Sequence, residues 1–176
     1  MIITPTPIAD LLVLAPQVFE DERGFFYETF NANFFKKNGL NYHFVQDNQA
    51  WSNYGVLRGL HFQEGAFAQA KLVRVVAGCV FDVAVDLRPN SPTYHQWFGI
   101  ELSAKNRKQL LIPRGFAHGY VALTAAAEFY YKCDNFYHKA SEAGIRYNCP
   151  KLNINWPVEE QGLIISEKDL ALPFLT

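Results

Sequence analysis

Residues 71–87 read Lys71-Leu-Val-Arg-Val-Val-Ala-Gly-Cys-Val-Phe-Asp-Val-Ala-Val-Asp-Leu87 and hold two β-branched runs around a glycine. Two such runs joined by Ala-Gly predict a β-hairpin. In the second run the apolar side chains from Phe81 onward share one face, whereas Asp82 and Asp86 lie on the other. Because that second face carries two carboxylates, we expect it to line a wet cavity or to be exposed.

Similar short apolar runs recur along the chain between Gly, Pro and Asn turns. The sequences Pro-Asn-Ser-Pro at residues 89–92 and Pro-Arg-Gly at residues 113–115 are typical of turns. A short helix is predicted over Ala32–Asn38, with Asn31 as its N-cap and Gly39 at its end. Further strands are predicted at Ile8–Val18, Gly24–Thr29, Val56–Phe62, Trp97–Leu102, Gln109–Ile112, Gly119–Leu123 and Glu128–Cys133. So many strands with one short helix predict an all-β, double-sheet jelly roll.

The composition suits one domain over residues 1–176, with 49% hydrophobic residues and a net charge of −1. This charge argues against a nucleic-acid-binding protein. The cysteines, Cys79, Cys133 and Cys149, form no Cys-x-x-Cys pair, so we expect reduced thiols in a cytoplasmic protein. No signal peptide is evident, and no apolar run reaches the roughly 18 residues that a membrane span needs.

The candidate functional groups are polar residues embedded in apolar strands. Arg58 and His61 lie in Val-Leu-Arg-Gly-Leu-His-Phe, Lys71 opens a strand and Lys132 interrupts another. Taken singly, a histidine in an apolar strand is more often structural than catalytic. The five histidines form no His-x-His or His-x-x-x-His pair, so no metal site is predicted. Residue types alone therefore predict only a β-rich domain with a polar pocket.

An ordered set of segments resembles the dTDP-4-dehydrorhamnose 3,5-epimerase family. Each motif is weak, but the set covers nearly the whole chain in one order. The matching segments are Asp21–Glu28, Phe44–Asn48, Val56–Gln63, Gln69–Arg74, Phe81–Arg88, Ile112–Gly119, Ala127–Cys133, Ile154–Pro157 and Ile165–Asp169. The resemblance implies a metal-free, cupin-like jelly-roll barrel (a double-stranded β-helix) with one or two short helices, acting as a homodimer without a cofactor.

The resemblance also implies a reaction. The substrate would be dTDP-4-dehydro-6-deoxy-D-glucose, inverted at C3 and C5 to give dTDP-4-dehydro-L-rhamnose. Both carbons lie next to the C4 ketone, so their protons are acidic enough to be removed if the enolate is stabilised in place. Inversion then needs a base on one face of the sugar and an acid on the other.

Matched position by position, the family's catalytic roles fall on four residues. His61 matches the base, Asp169 the carboxylate that orients it, Lys71 the cation near the C4 oxygen, and Tyr131 the acid. In the family, some of the contact residues near the start of the chain reach into the pocket of the neighbouring subunit. Positions expected to contact the nucleotide sugar are Arg23, Phe26, Glu28, Gln46, Asp47, Asn48, Arg58, Asp82, His118, Tyr137, Glu142 and Lys168.

The chain departs from the family pattern in places that bear on the substrate. Gln49-Ala50-Trp51 replaces a His-Ser-Arg-like run, and Cys149 stands where Asp is common. The alternatives are therefore an epimerase that inverts one carbon only, and an epimerase of another nucleotide-linked 4-keto sugar. Outside this enzyme class, the alternatives are a non-catalytic sugar-binding jelly roll and a metal-dependent cupin.

Overall fold

The computed structural model describes residues 1–175 and consists mainly of short strands with two short helices, α1 (Ala32–Lys37) and α2 (Glu167–Leu170). The strands are β1 (Ile2–Pro5), β2 (Leu12–Ala15), β3 (Phe19–Asp21), β4 (Gly24–Phe26), β5 (Gln46–Asn53), β6 (Val56–Gln63), β7 (Lys71–Ala77), β8 (Cys79–Asp86), β9 (Trp97–Ser103), β10 (Gln109–Ile112), β11 (Phe116–Ala122), β12 (Ala126–Cys133), β13 (Glu142–Gly144) and β14 (Ile164–Ile165).

Two facing sheets form the barrel. The first sheet has the order β1-β2-β10-β7-β12-β5, and the second has the order β13-β6-β11-β8-β9 with β14 added in parallel to β6. From β5 to β8, and again from β9 to β12, successive strands alternate between the two sheets. This alternation is the topology of a jelly roll, so the predicted fold class is confirmed. A separate hairpin of β3 and β4 stands outside both sheets.

The glycine between β7 and β8 marks a crossover between the sheets, so the predicted hairpin is wrong. β7 pairs with β10 and β12, whereas β8 pairs with β9 and β11. Gly78 has a φ of +74°, and a Cβ there would lie 2.1 Å from the carbonyl oxygen of Ala126. Only glycine suits this position, because both the positive φ and the close backbone exclude a side chain. A hairpin and a crossover share this local pattern.

The core lies between the sheets and on both outer faces. Val73 and Phe129 of the first sheet meet Ala84 and Phe116 of the second. Helix α1 packs Phe35 against the outer face of the first sheet. The segment after β13 packs on the outer face of the second sheet, so both faces of β8 are covered. The apolar residues in that outer cluster include Leu60, Val83, Val85, Ile145, Cys149 and Leu152.

The prediction that the acidic face of β8 is wet or exposed is wrong, because its two carboxylates are buried. Asp82 and Asp86 are both fully buried. Asp86 accepts hydrogen bonds from Arg88, Ser91 and Thr93, and these contacts hold the pKa of its carboxyl near 2 although burial alone would raise it. A buried carboxylate is tolerated where donors replace its water, as they do here.

The other local predictions are confirmed in some places and wrong in others. Gln109–Ile112 is a strand over the predicted residues, and Asn31 caps α1 by accepting a hydrogen bond from the Phe34 amide (3.1 Å). The predicted strand Ile8–Val18 shrinks to β2, because the chain turns over residues 7–11. The polar strand β5 was not predicted. Within residues 1–175, no helix is long and apolar enough to cross a membrane.

Two glycine substitutions test the crossover. Gly39, just beyond α1, has the same φ of +74° as Gly78, but a Cβ there would meet nothing within 4 Å. We expect Gly39→Ala to lower the free energy of unfolding by about 1 kcal/mol, from backbone strain alone. Gly78→Ala should cost roughly 1–3 kcal/mol more, because the backbone near Ala126 must also move. The free energy of unfolding is measured by urea denaturation. If both variants lose the same amount, the close contact between residue 78 and Ala126 does not contribute to the cost.

Candidate active site

A histidine–aspartate pair lies where α2 meets β6. The Nε2 of His61 is 2.7 Å from Oδ1 of Asp169, and the Asp169 Oδ2 accepts a hydrogen bond from the Gly59 amide at 3.2 Å. Ser166 caps α2 and accepts from the Asp169 amide. The Asp169 side chain is 6% exposed, whereas that of His61 is 32% exposed. The carboxylate is therefore fixed behind an imidazole that opens to solvent.

Electrostatics make this pair suitable for proton abstraction. Burial tends to raise the pKa of Asp169, but hydrogen bonds from His61 and Gly59 outweigh it and lower that pKa below its usual value. Asp169 is therefore ionised at neutral pH and only accepts hydrogen bonds. Because Nε2–H is donated to Asp169, Nδ1 of His61 carries the lone pair and is the basic nitrogen.

Two further ionisable residues stand on the opposite wall of the barrel. Lys71 on β7 and Tyr131 on β12 belong to the first sheet, which faces the second sheet that carries His61. The Lys71 Nζ lies 5.9 Å from the centre of the Tyr131 ring. Burial lowers the pKa of Lys71, although Cys133 and Asp82 oppose this shift. Burial also raises the pKa of Tyr131 to about 12, so its phenol stays protonated at neutral pH.

The four residues meet in a cavity of two adjoining lobes, of about 320 and 300 Å³, which share His61, Lys71 and Tyr131. This volume is in the range of small-ligand pockets. The first lobe is also lined by Ala50, Arg58, His118, Gly119, Tyr120, Phe129, Ser166, Lys168 and Asp169. The second lobe is also lined by Gln46, Asn48, Phe62, Gln63, Gln69, Tyr137 and Glu142.

Most residues expected to contact the substrate line this cavity. Asp82 stands directly behind it: its Oδ2 is 2.9 Å from Nε2 of His118, and it is fully buried. Burial lowers the pKa of His118, although Asp82 opposes the shift. The predicted contact residues that line one lobe or the other are Gln46, Asn48, Arg58, His118, Tyr137, Glu142 and Lys168.

Four expected contact residues lie outside the cavity of their own chain. Asp47 faces the other side of β5, where it accepts hydrogen bonds from Tyr130 (2.6 Å) and Lys132 (2.9 Å). Arg23 and Phe26 are exposed on the β3–β4 hairpin, and Glu28 accepts a hydrogen bond from Asn31. The structure of the single chain therefore does not bring these four residues to His61.

Several lining residues were missed by reasoning from the sequence. Tyr120 follows His118 by two positions, and Phe129 precedes Tyr131 by two, so strand alternation already placed each pair on one face. The same holds for Gln63, two residues after His61. Of the departures from the family pattern, Ala50 lines the first lobe, whereas Trp51 is exposed.

The comparisons with known proteins agree with this geometry. Residues 5–176 match the family model of dTDP-4-dehydrorhamnose 3,5-epimerase. The chain belongs to this family. Its members are isomerases, so the predicted enzyme class and family are confirmed. Within residues 1–175, no group of three His, Cys, Asp or Glu residues is placed to hold a metal ion.

Similarity to individual family members extends over most of both chains. The dTDP-4-dehydrorhamnose 3,5-epimerase of Escherichia coli K12 is 54% identical over 168 residues, covering 95% of this chain and 90% of that protein. The epimerase structure from Elizabethkingia anophelis is 54% identical with a TM-score of 0.95, and the match covers 99% of this chain and 96% of that one. The epimerase structure from Legionella pneumophila, in complex with dTDP-4-keto-L-rhamnose, is 49% identical with a TM-score of 0.93. The match covers 98% of this chain and 91% of that one.

The ionisation of Tyr131 provides a test of the site electrostatics. A phenol in water ionises near pH 10, whereas burial places the pKa of Tyr131 at about 12. The ultraviolet absorbance of phenolate should therefore differ little between the wild type and Tyr131→Phe at pH 10–11, and should diverge only as the pH approaches 12. Circular dichroism at each pH checks that both proteins stay folded. A difference that appears with a midpoint near pH 10 would contradict the buried environment.

Proposed function

We propose that the protein inverts C3 and C5 of dTDP-4-dehydro-6-deoxy-D-glucose to give dTDP-4-dehydro-L-rhamnose. The observation that carries this proposal is the placement of the His61–Asp169 pair on one wall of the cavity and of Lys71 and Tyr131 on the facing wall. Inversion at carbon requires a base on one side of the sugar ring and a proton donor on the other. Membership of the family and the dTDP-sugar bound to the Legionella relative support the substrate.

The base acts first. The Nδ1 of His61 removes the proton from C3 or C5, and the electron pair of that C–H bond moves into the enolate of the C4 ketone. Asp169 stabilises the resulting imidazolium, because its carboxylate already accepts from Nε2. The Nζ of Lys71 lies near the C4 oxygen and stabilises the negative charge that develops there. Its burial strengthens this effect, since a charge acts more strongly where water is excluded.

The acid completes the inversion. The Tyr131 phenol delivers its proton to the carbon from the face opposite His61, and the C4 ketone is restored. A pKa of about 12 keeps Tyr131 protonated between turnovers. Donation leaves a phenolate beside Lys71, whose cation stabilises it until a proton returns from solvent. The His61 imidazolium releases its proton to solvent, which restores the base for the next inversion. Each step is a proton transfer, so the scheme requires neither a metal nor a redox cofactor.

The rest of the substrate is bound by polar and charged residues of the two lobes. Arg58 and Lys168 supply positive charge for the diphosphate, and guanidinium groups are well shaped for phosphate. Arg23, Phe26 and Glu28 lie outside the cavity of their own chain, which supports a homodimer in which they complete the partner's pocket. The free thiols of the three cysteines support a cytoplasmic location.

Solvent deuterium distinguishes this reaction from its alternatives. After incubation of dTDP-4-dehydro-6-deoxy-D-glucose with the protein in deuterated water, we expect deuterium at both C3 and C5, measured by NMR. Deuterium at one carbon only would instead indicate an epimerase of single regiochemistry. If neither carbon exchanges, the proposed substrate is wrong. A reaction with the nucleotide-free sugar measures the contribution of the dTDP group.

Substitution of the acid and of the base should have different effects. His61→Ala should lower deuterium exchange at both carbons by roughly 10²–10⁴-fold, because the proposed base is then missing. Tyr131→Phe should slow net inversion far more than exchange, because His61 can still remove and return a proton on one face. Tyr54→Phe is the matched control, since Tyr54 is exposed and lies outside both lobes. Full inversion by Tyr131→Phe would exclude Tyr131 as the acid.

A further inference from the structure

The loop after β12 carries Tyr137, whose side chain is 52% exposed at the open end of the second lobe. Its hydroxyl donates to Glu142 at 2.9 Å, and Glu142 in turn accepts from Lys168 at 2.6 Å. The ring is thus tethered at its tip. A loop residue keeps a fixed position only if its backbone is held as well, because loops otherwise move more than strands.

Two glutamine side chains hold that backbone. The Tyr137 amide donates to Oε1 of Gln46 at 3.0 Å, and the amide of His138 donates to Oε1 of Gln63 at 2.9 Å. Gln46 lies on β5 of the first sheet and Gln63 on β6 of the second. Consecutive loop amides are therefore anchored to both walls of the barrel.

The two carboxamides differ in how they are used. Gln46 also donates through Nε2 to Asn48 at 3.1 Å, so both of its ends are occupied. Gln63 is 7% exposed, and its Oε1 accepts the hydrogen bond from the His138 amide. Because an amide N–H can only donate, the His138 contact fixes Oε1 of Gln63 toward the loop. Gln63 also pairs in register with Glu142, so it lies beside the acceptor of the Tyr137 hydroxyl.

We propose that Gln63 is a positioning residue for substrate binding, which acts by anchoring the loop that presents Tyr137 to the second lobe of the cavity. This inference rests on the proposed function. Gln63 takes no part in proton transfer, because its acceptor is committed to the His138 amide. It therefore affects how tightly the substrate binds, and leaves the chemistry at His61 and Tyr131 unchanged.

Hydrogen exchange on the free protein tests the anchor without any substrate. In Gln63→Met, a change of similar size that removes the acceptor, the His138 amide should lose its protection while the amides of β12 keep theirs. Gln63→Glu keeps an acceptor oxygen and should restore the protection of His138. This second variant also covers the case in which Gln63→Met does not fold. An unprotected His138 amide in the wild type would overturn the anchor.

Kinetics test the consequence. Loss of one hydrogen bond to the loop should raise KM by roughly five- to tenfold in Gln63→Met. The turnover number kcat should stay within about twofold of the wild type, because the residue acts on binding only. Gln161→Met is the matched control, since Gln161 is exposed, lies outside both lobes and pairs with Glu159. A merely structural defect would not separate KM from kcat.

A double-mutant cycle shows whether Gln63 acts through Tyr137. In the Tyr137→Ala background, Gln63→Met should change KM little, because the ring that the anchor positions is gone. Additive effects, or a wild-type KM in Gln63→Met, would overturn the role of Gln63 while the wild type still turns over its substrate. Absence of turnover in the wild type itself would instead overturn the proposed function.

Discussion

The hydrogen bond between His61 and Asp169 joins residues 108 positions apart, and the active site depends on how the chain brings them together. The segment after β13 packs on the outer face of the second sheet, and β14 then pairs in parallel with the start of β6. Helix α2 follows directly, so Asp169 reaches the Gly59 amide and the imidazole. The carboxylate is buried, and the donors that meet it offset the loss of water. Packing and catalytic geometry therefore form together.

The same strands that build the core also carry Lys71 and Tyr131, two residues of the proposed reaction. Lys71 lies two residues before the buried Val73, and Tyr131 lies two residues after the buried Phe129. Each pair shares one face of its strand. The inner face of the first sheet is therefore apolar at Val73 and Phe129, and carries ionisable groups at Lys71 and Tyr131. Groups on packed strands are held more rigidly than groups on loops. Because the two sheets face each other, the proposed acid and the proposed base lie on opposite sides of the cavity.

The strands could be predicted from the sequence where apolar residues follow the strand pattern. They could not be predicted where a strand forms only because it pairs with a distant segment. Residues 109–112 follow that pattern and form β10 as predicted. β5 contains Gln-Asp-Asn-Gln, which predicts no strand, yet it pairs with β12 from Gln46 to Asn53. Its hydrogen bonds come from a neighbour about 80 residues away. Likewise, Asp169 lies outside any local pattern around His61, and only the family resemblance related the two residues before the structure did.

Two histidines of the site each have an aspartate partner, and they differ in burial. His61 and His118 are register partners on the adjacent strands β6 and β11, and they contact Asp169 and Asp82 respectively. The His61 side chain is 32% exposed and that of His118 is 7% exposed. Burial lowers the pKa of His118, which favours a neutral ring. Because both histidines have an aspartate partner, that partner alone does not distinguish them. Exposure to the cavity does, and this difference supports the proposal that His61, rather than His118, is the base.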